Sequence, residues 1–476
     1  MSDAGDLVLA LDQGGHASRA VLFDAAGHEL TEAHVPVATY RDGPDRVEHD
    51  PDELASSLRL AAEDVCDSPA ARGRAIGAAG LACQRSTVVC WDRQDGRALS
   101  RALSWQDRRD AGFLERLRPR EAWIRRRTGL VLSPHYGANK LRWCLERLPA
   151  VHDAAAAGRL AAGPLSSFLL ARLLENRPVC VDPSNAARTL LFDPDMQDWV
   201  PELLAAFGIP ADALPRPVTT RHAYGVLRLA GRDIPLTACT GDQAAAVFAF
   251  GDPQAGQAWL NAGTGAFLQR AIPAGTPPAD GLLKSVLCSD RSGVLCSLEG
   301  TVNGAGSALE WVESQVALDV GRAVRALPAA AVADAPLFIN GVGGLGSPWW
   351  RADFPVEFTT GSGDLERVAA VIESIAFMLC VNLDVMRGAG PLTSLTATGG
   401  LARSDYLCHA IADLAALIVE RPALREATAR GTAFLAAGRP AHWRAPSLER
   451  RFLPAANATL ATRFLRWREE MARRGA

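Results

Sequence analysis

The sequence predicts an α/β protein of two domains. Its 476 residues exceed the size at which one hydrophobic core stops growing, so a second core is expected. Helical and strand-like segments alternate along the chain, as they do where helices cover β-sheets. Two apolar strands flank a glycine-containing turn at residues 7–23, and the same pattern recurs at residues 258–268. This repeat indicates two domains built to one plan, with a ligand site in the cleft between them.

The first of these hairpins carries a possible phosphate-binding turn. Apolar runs at residues 7–11 and 20–23 flank a polar stretch that contains Asp12, Gly14 and Gly15. The amides of such a turn can bind phosphate oxygens while the acid holds Mg²⁺. An ordinary Asp-x-Gly turn has the same composition, so Asp12 needs a partner elsewhere in the chain.

Helices and strands follow in alternation. Residues 50–65 have apolar residues at helical spacing behind an Asp-Pro start, which predicts a helix. Residues 76–91 contain two β-like runs around the Gln-Arg-Ser stretch at 84–86. The Ala-rich stretch at residues 154–162 is expected to be helical, because alanine has the highest helix propensity.

A second acidic candidate closes the apolar run at residues 234–239. The run ends in Thr240-Gly241-Asp242-Gln243, which places a carboxylate at a strand end, where ligands bind in α/β proteins. Asp242 is therefore well placed to accept a proton from a substrate hydroxyl. It could equally cap the Ala-rich helix that follows.

The loop at residues 251–256 precedes the second hairpin and places a domain boundary near residue 253, giving domains 1–253 and 254–476. The second turn holds Gly263, Thr264 and Gly265, whose hydroxyl and amides could bind the same phosphates from the opposite side. Beyond it, the patterns predict a helix at 365–386, a strand at 395–398, a glycine turn and a helix at 405–417.

The stretch at residues 341–346 matches G-x-G-x-x-G, the pattern of dinucleotide-binding folds. Such a fold requires a helix directly after the glycines. Here Ser347, Pro348 and two tryptophans follow, with no helical periodicity behind the proline. We therefore interpret this stretch as a tight structural loop.

Composition excludes several classes of function. The net charge is −3 and no block of about five like charges occurs, so neither a nucleic-acid nor an anionic membrane partner is expected. The N-terminus lacks a signal-peptide pattern, and no apolar run reaches about 18 residues without a charge, which predicts a cytoplasmic protein. The ten cysteines lack metal-site spacing and are expected to be reduced and buried. Only Lys140 and Lys284 are lysines, and neither follows a glycine, so a Walker A loop is excluded.

The chain resembles the FGGY family of carbohydrate kinases over nearly its whole length. Within that family it is most similar to the glycerol kinases. The segments that carry the resemblance occur in family order: LALDQGGHASRAVLFD, VEHDPDEL, QRSTVVCWD, ALSWQDRR, SNAARTLLFD, TGDQAAAVF, GTGAF, GLGSPWW, ESIAF, GGLARSDYL and ERPALREATARGTAFLA. Each segment alone is weak, but eleven in one order are specific.

The resemblance implies an actin-like or hexokinase-like (ribonuclease H-like) fold, in which two α/β domains close on a sugar or polyol and on MgATP. It also implies roles for individual residues. Asp242 corresponds to the catalytic base and Asp12 to the magnesium-associated acid. The implied ATP-binding residues are Gly14, Gly15, His16, Ser18, Arg19, Gly263, Thr264, Gly265, Gly306, Gly400 and Ser404. The implied substrate-binding residues are Gln84, Arg85, Ser86, Trp105, His135, Asp242, Gln243 and Phe267.

Three positions depart from the glycerol kinase pattern. Ser86 stands where those enzymes have a glutamate, and His135 stands where they have a tyrosine; both family residues bind substrate hydroxyls. Since an unmatched buried hydroxyl costs about 1 to 3 kcal/mol, these changes are large enough to alter the preferred substrate. His16 replaces the threonine that contacts ATP phosphate. Its imidazole could donate to phosphate, or it could turn aside while the glycine amides bind.

The leading hypothesis is transfer of the γ-phosphoryl group of ATP to a hydroxyl of a small polyol or sugar. A second hypothesis is a degenerate family member that binds nucleotide or sugar as a non-catalytic sensor. A third is an actin-like ATPase that acts on proteins, which the apolar wall expected from Trp105 and Phe267 disfavours. Neither the identity of the polyol or sugar nor a homo-oligomeric state can be inferred from the sequence.

Overall fold

The computed structural model describes residues 7–328, 332, 335–424 and 426–476. In the first half of the chain the strands are β1 Leu7–Gln13, β2 Ala17–Phe23, β3 Glu29–Pro36, β4 Tyr40–Arg41, β5 Val47–His49, β6 Ile76–Cys83, β7 Val88–Asp92, β8 Ala102–Leu103, β9 Leu160–Pro164, β10 Cys180–Val181, β11 Phe192–Asp193, β12 Asp198–Trp199, β13 Arg216–Pro217, β14 Arg221–Leu229 and β15 Arg232–Gly241. The α-helices of this half are α1 Pro51–Asp67, α2 Glu121–Thr128, α3 Gly137–Arg147, α4 Pro149–Ala156, α5 Leu165–Leu173, α6 Pro183–Ala186, α7 Pro201–Phe207 and α8 Asp242–Val247, and 3-10 turns lie at Ala111–Arg120, Ala211–Ala213 and Phe248–Phe250.

The second half repeats this alternation of strands and helices. Its strands are β16 Gln257–Ala262, β17 Ala266–Pro273, β18 Leu283–Asp290, β19 Gly293–Val302, β20 Phe338–Asn340, β21 Val356–Phe358, β22 Ser394–Thr398, β23 Ile418–Pro422 and β24 Leu448–Phe452. Its helices are α9 Gly306–Glu313, α10 Val320–Ala326, α11 Asp364–Met386, α12 Asp405–Ala415, α13 Ala427–Ala436 and α14 Ala458–Arg473, with 3-10 turns at Arg387–Ala389 and Leu401–Arg403.

Each half is built on one large mixed sheet. The first sheet has the order β14-β15-β6-β1-β2-β3, and β6 runs parallel to both β1 and β15. The second has the order β18-β19-β17-β16-β22-β23-β24, and β22 runs parallel to both β16 and β23. In each sheet the parallel strands adjoin an antiparallel hairpin, β1-β2 in the first and β16-β17 in the second. The predicted pair of hairpins is confirmed, and the duplicated plan is visible in the strand order.

Local signals account for helix α1. The carboxylate of Asp50 accepts hydrogen bonds from the amides of Asp52 and Glu53 at 3.0 and 3.2 Å, which makes it the N-cap. Pro51 occupies the first turn, where its missing N–H costs nothing. The Asp-Pro start seen in the sequence is thus the physical origin of the helix.

The prediction for residues 154–162 is wrong in its second half. Helix α4 ends at Ala156, and residues 160–164 form β9, which pairs antiparallel with β7. Ala161 and Ala162 lie opposite Trp91 and Cys90 and are fully buried. Pairing within a buried sheet therefore overrides the helix propensity of alanine, which is worth well under about 1 kcal/mol per residue.

Helix α13 belongs to the second half of the sequence but packs on the first sheet. Its Ala429 and Ala433 join a core cluster with Val8 and Phe248 from the first half. A methyl group added at Gly431 would stand 1.8 Å from the carbonyl oxygen of Ala245 on α8, so only glycine permits this approach. The chain thus returns to the first domain near its end, and the boundary near residue 253 stays a prediction.

Among the described residues, one helical segment, Asp364–Ala389, is long and apolar enough to cross a membrane by length and composition. In its most apolar window 83% of the residues are buried inside the protein, and the helix packs against β20 and α12. We therefore assign it to the core of the second domain.

Two further sequence interpretations agree with the structure. The glycine-rich stretch at residues 341–346 leads into turns and a cis Ser347-Pro348 peptide, and no helix follows it within residues 341–358. All ten cysteines are free and buried.

Candidate active site

Three parallel strands of the first sheet end at one edge, and each delivers a polar segment there. Ala82 on β6 lies beside Asp12 of β1 on one side and beside Thr240 of β15 on the other. The chain after β6 supplies residues 84–86, and the chain after β15 supplies Asp242 and Gln243. Carboxyl ends of parallel strands are where α/β proteins bind ligands. The register therefore brings together segments that lie far apart in the sequence.

A cavity of about 260 Å³ opens at this edge. It is lined by Gly15, His16, Thr39, His49, Gln84, Arg85, Ser86, Ser104, Trp105, Gln106, His135, Arg188, Asp242, Gln243 and Phe267. Every residue predicted to bind substrate is on this wall. Phe267 comes from the second half of the chain, so the cavity lies between the two domains.

Asp12 and Asp242 have raised pKa values at this edge. Burial, followed by the charge of Asp242, raises the pKa of Asp12 to about 7, and Arg19 opposes the change. Burial also raises the pKa of Asp242, while Arg85 and the amide of Gln243 lower it in part. A carboxylate whose pKa is raised is a stronger proton acceptor near neutral pH. Two coupled carboxylates also form a site that a cation would stabilise.

A buried charge cluster joins the two domains at the cavity wall. Glu299 of β19 accepts hydrogen bonds from both terminal nitrogens of Arg85, at 2.7 and 3.2 Å, and from Arg188 at 3.1 Å. Burial by itself would raise the pKa of Glu299, but Arg85 and Arg188 outweigh it and hold the pKa at about 2. Arg85 also donates to Gln243 Oε1. The glutamate therefore fixes Arg85 beside the residues at the end of β15.

Aromatic and imidazole rings form another part of the wall. Trp105 and His135 are in edge-to-face contact, with ring centroids 5.8 Å apart. Burial lowers the pKa of His135 well below its usual range, and the nearby cations Lys140 and Arg188 add to this effect. His135 is therefore neutral at physiological pH and can both donate and accept a hydrogen bond.

The first predicted phosphate turn reaches the cavity only in part. Gly15 and the exposed His16 line it, and the amide of Gly14 closes the turn by donating to Ala17 O at 3.1 Å. Ser18 points away: its buried hydroxyl bonds Gln13 Oε1 at 2.9 Å and shares a 2.7 Å hydrogen bond with Ser57 of α1. The reason is strand alternation, since side chains two apart face the same side of a sheet and neighbours face opposite sides.

Arg19 contributes to this region through its charge. It pairs with Glu426, which lies directly before α13, and it opposes the rise in the pKa of Asp12. The pair connects the first hairpin to the second half of the chain.

The second predicted turn packs against the start of α9. The amide of Gly306 donates to Gly263 O at 2.9 Å, and the amide of Ser307 donates to Thr264 O at 3.0 Å. A methyl group at Gly306 would stand 2.7 Å from Gly263 O, so the structure uses this glycine for close packing. Thr264 is exposed, and Gly265 lies two residues before Phe267 of the cavity wall.

The remaining ATP-binding candidates follow β22, which runs parallel to β16. Asn261 pairs with Thr398, so Gly400 emerges at the same edge as the second turn. Ser404 has another use: its hydroxyl caps α12 by accepting from the amide of Leu407 at 3.3 Å, and its side chain is buried. Gly400, unlike the buried Ser404, has open space beside it: no atom lies within 4 Å of a methyl group added there.

Comparisons with known proteins agree with this architecture. The N-terminal domain of the FGGY family of carbohydrate kinases matches residues 7–249, and the C-terminal domain of that family matches residues 258–438. The chain belongs to the FGGY family of carbohydrate kinases.

Individual FGGY relatives match over nearly the whole length. The chain is 34% identical to a glycerol kinase of Azotobacter vinelandii over 92% of this chain and 89% of that protein. It is 35% identical to one of Methylobacterium nodulans over 97% of each, and 37% identical to one of Alkalilimnicola ehrlichii over 90% and 89%. Among solved structures, a Plasmodium falciparum glycerol kinase with ADP has a TM-score of 0.89 at 22% identity over 99% of each chain. A xylulose kinase from Rhodospirillum rubrum has a TM-score of 0.85 at 20% identity over 98% of each.

These matches confirm the actin-like, two-domain fold and make the chain a kinase, a phosphotransferase with an alcohol group as acceptor. FGGY kinases use ATP as the phosphoryl donor. The cavity between the domains, with Asp242 on its wall and Asp12 at the same sheet edge, is the part of this fold suited to that chemistry.

Several cavity residues of this FGGY kinase were not found from its sequence: Thr39, His49, Ser104, Gln106 and Arg188. Arg188 lies in the SNAARTLLFD segment, so the family motif was a signal that could have found it. Glu299 lies on a strand with no distinguishing pattern. Only the sheet register, which sets Glu299 opposite Gln269 and Leu283, brings it to the buried arginines.

Proposed function

We propose that this kinase transfers the γ-phosphoryl group of ATP to a primary hydroxyl of a small polyol or sugar, with Asp242 as the general base. The observation that carries the proposal is the position of Asp242: its carboxyl, with a raised pKa, lies on the wall of a cavity that also holds all the other candidate substrate-binding residues. In this role Asp242 takes the proton of the acceptor hydroxyl as the oxygen attacks phosphorus.

Arg85 and Gln243 hold the acceptor beside Asp242. Glu299 fixes one edge of the Arg85 guanidinium, and Gln243 accepts from the same group, so both side chains are held in place before substrate enters. Preorganised donors avoid the cost of ordering them during reaction. The apolar faces of Trp105 and Phe267 cover the carbon skeleton of the acceptor.

Asp12 is the residue proposed to hold Mg²⁺. Its carboxyl is a hard oxygen donor. Burial and then repulsion from Asp242 raise its pKa, and a bound cation would relieve that repulsion. No group of three or more His, Cys, Asp or Glu side chains suited to a metal occurs among the described residues, so phosphate oxygens and water would complete the coordination. A bound Mg²⁺ would neutralise negative charge on the phosphate groups. Backbone amides of the two glycine turns bind the same phosphates.

The acceptor is proposed to be longer than glycerol. Ser86 is smaller than the glutamate of glycerol kinases, and His135 is smaller than their tyrosine, so the wall recedes at both positions. Ser86 Oγ and Arg188 Nε are buried and have no hydrogen-bond partner within the described part of the chain. Both residues line the cavity, so their side chains are the polar groups proposed to face the longer acceptor.

The proposed site of the reaction is the cytoplasm, where ATP is available and buried free thiols such as these stay reduced. The proposed binding partners of the kinase are small molecules.

The test is an ADP-release assay with Mg²⁺ and ATP against glycerol, erythritol, pentitols, pentuloses and hexoses. Wild type is expected to turn over at least one acceptor with four or five carbons. Asp242→Asn should abolish that turnover, whereas Asp182→Asn, which removes a buried carboxyl outside the cavity wall, should not. An Asp242→Asn variant that keeps more than about a tenth of wild-type turnover would refute the assignment of the base.

A non-catalytic sensor is the alternative, motivated by His16 in the phosphate turn. It predicts ATP binding by calorimetry with no turnover of any acceptor in the panel. Substituting His16 by threonine would then be expected to restore activity if the histidine is what blocks phosphate.

A further inference from the structure

Nearly all of the 50 basic residues of the chain are arginine, and lysine occurs only twice. Both lysines are fully buried. Burying an ammonium group is unfavourable unless its donors are satisfied. The ammonium of Lys284 is satisfied by an ion pair, because its Nζ donates to Asp195 Oδ2 at 2.6 Å and to Oδ1 at 2.7 Å. Lys140 has no carboxylate within hydrogen-bond distance among the described residues, and it lies directly behind the cavity.

Lys140 Nζ instead donates to three backbone carbonyls. The acceptors are Ser86 O at 2.9 Å, Ser104 O at 2.6 Å and His135 O at 2.8 Å. The three residues whose carbonyls accept these hydrogen bonds all line the cavity. They belong to three separate segments: the loop after β6, the chain after β8 and the loop before α3.

We propose that Lys140 is a positioning residue that fixes these three segments to one another and so sets the shape of the acceptor cavity. The segments carry Gln84, Arg85, Ser86, Trp105 and His135 of the candidate acceptor site. Lys140 itself lies behind the cavity wall and does not line the cavity, so it would not contact the phosphoryl acceptor. The inference rests on the proposed function only in taking this cavity as the acceptor site.

The chemistry of the ammonium group explains why lysine occupies this position. An ammonium carries three N–H donors in diverging directions, and here each meets one carbonyl. A guanidinium presents five donors in a flat fork, which matches carboxylates rather than three separate carbonyls. Since the chain uses arginine at nearly every other basic position, the geometry of this site accounts for the exception.

The fixed backbone also explains an unusual conformation. Ser86 has φ = 67°, in the left-handed region that non-glycine residues seldom adopt. Such a conformation persists only where the surroundings over-determine it. The hydrogen bond from Lys140 to the carbonyl of Ser86 is one such constraint. A second acts on the next residue, Thr87, whose Oγ1 accepts a hydrogen bond from the backbone amide of Trp105 at 3.0 Å.

The experiment compares Lys140→Met with Lys284→Met, which removes the other fully buried lysine and leaves the cavity segments untouched. For Lys140→Met we expect an acceptor KM raised roughly tenfold or more, with kcat and the KM for ATP changed by less than about threefold. This split is expected because Asp242 begins α8 and the second glycine turn packs against α9, and Lys140 donates no hydrogen bond to either. Lys284→Met is expected to lower the melting temperature without raising the acceptor KM.

Hydrogen–deuterium exchange gives a measurement that does not depend on turnover. In the free protein, Lys140→Met should exchange faster than wild type within residues 84–88, 103–107 and 133–137, and Lys284→Met should not. If Lys140→Met does not fold, Lys140→Gln, which keeps two N–H donors, provides the same comparison with a smaller effect.

Equal acceptor KM values and equal exchange in the two variants would overturn the inference, because Lys140 would then be an ordinary buried residue. Absence of acceptor-dependent turnover in wild type would refute the proposed function instead. In that case faster exchange confined to the three segments in Lys140→Met would still support the positioning role, and unchanged exchange would refute it.

Discussion

Gly241 lies directly against Arg85, so closely that a methyl group on Gly241 would stand 2.5 Å from Arg85 Cδ. The same methyl group would stand 2.6 Å from Ser184 Oγ, which accepts the amide hydrogen bond of Gly241 at 2.7 Å. The glycine before the proposed base is therefore required by packing rather than by a left-handed backbone. It lets Arg85 pass beside the end of β15 and reach Glu299.

Gly241→Ala is expected to displace Arg85 and weaken acceptor binding. We expect the acceptor KM to rise by roughly tenfold or more, with the KM for ATP little changed, because overpacking of this kind forces side chains off their rotamers. Steady-state kinetics with both substrates varied checks the result. Gly112→Ala is the control, since no atom lies within 4 Å of the added methyl group. Equal KM values in the two variants would contradict the role given to this contact.

Glu299→Gln should move the acid limb of the kcat profile to lower pH. Burial is the main cause of the raised pKa of Asp242; Arg85 and Arg188 lower this pKa, and the charge of Glu299 raises it further. Removing the glutamate charge leaves both arginines uncompensated, so Asp242 stays ionised to a lower pH. The measurement is kcat against pH for wild type and variant, with saturating acceptor. A limb that stays in place or moves upward would show that Glu299 does not tune the base.

The same variant should change acid stability in a defined window. The pKa of Glu299 falls from 4.5 to about 2 in the folded protein, so its contribution is present above 4.5 and is lost as the pH falls through about 2. The linkage amounts to about 3 kcal/mol, an order-of-magnitude figure. Urea unfolding at several pH values should therefore show a steeper acid loss for wild type than for Glu299→Gln. Parallel curves would contradict the assigned pKa direction.

Magnesium should stabilise the protein more at high pH than at low pH. The pKa of Asp12 is raised from 3.8 to about 7, so folding favours its neutral form, and stability falls as the pH rises through this range. A bound cation reverses that loss. Melting temperatures with and without Mg²⁺ should differ more at about pH 8 than at about pH 5.5. Asp12→Asn should show no such difference and should be more stable than wild type at pH 8 without metal.

The acceptor KM should rise as the pH increases through about 7. Burial lowers the pKa of Lys140 to about 7, with Asp107 opposing the change and Arg109 adding to it. Above that pH the neutral amine has two N–H donors for three carbonyls, so one cavity segment loses its restraint. The check is acceptor KM between about pH 6 and 8.5, with the KM for ATP as the internal reference. Lys140→Met should lack the rise, and a rise of the same size in that variant would assign the pH effect to another group.

Much of the fold could be predicted from local patterns. The turns after β1 and β16, the Asp50 cap of α1 and the apolar periodicity of α11 are encoded within a few residues of where they act. Residues 240–243 were singled out because they follow a predicted strand, and the family resemblance implied a substrate-binding role for residues 84–86. Parallel pairing of β6 and β15 places both segments at one edge. The duplicated hairpins predicted that the two halves are built to one plan.

Other features depended on contacts between distant segments. Alternating strand geometry turned Ser18 into the interior, and helix capping engaged Ser404. The return of α13 to the first sheet and the strand formed by residues 160–164 follow from burial of apolar surface, which no short window of sequence records.

The sequence by itself determined the α/β class, the paired hairpins, the absence of a Walker A loop and the residue types that could perform phosphoryl transfer. Only the tertiary structure decided that Glu299 pairs with both Arg85 and Arg188, and that Lys140 joins three loops behind the cavity. The physical reason is range. Backbone conformation and amphipathic faces are set by neighbours a few residues apart, whereas the partner of a buried charge is set by which strands and loops the whole fold brings within hydrogen-bond distance.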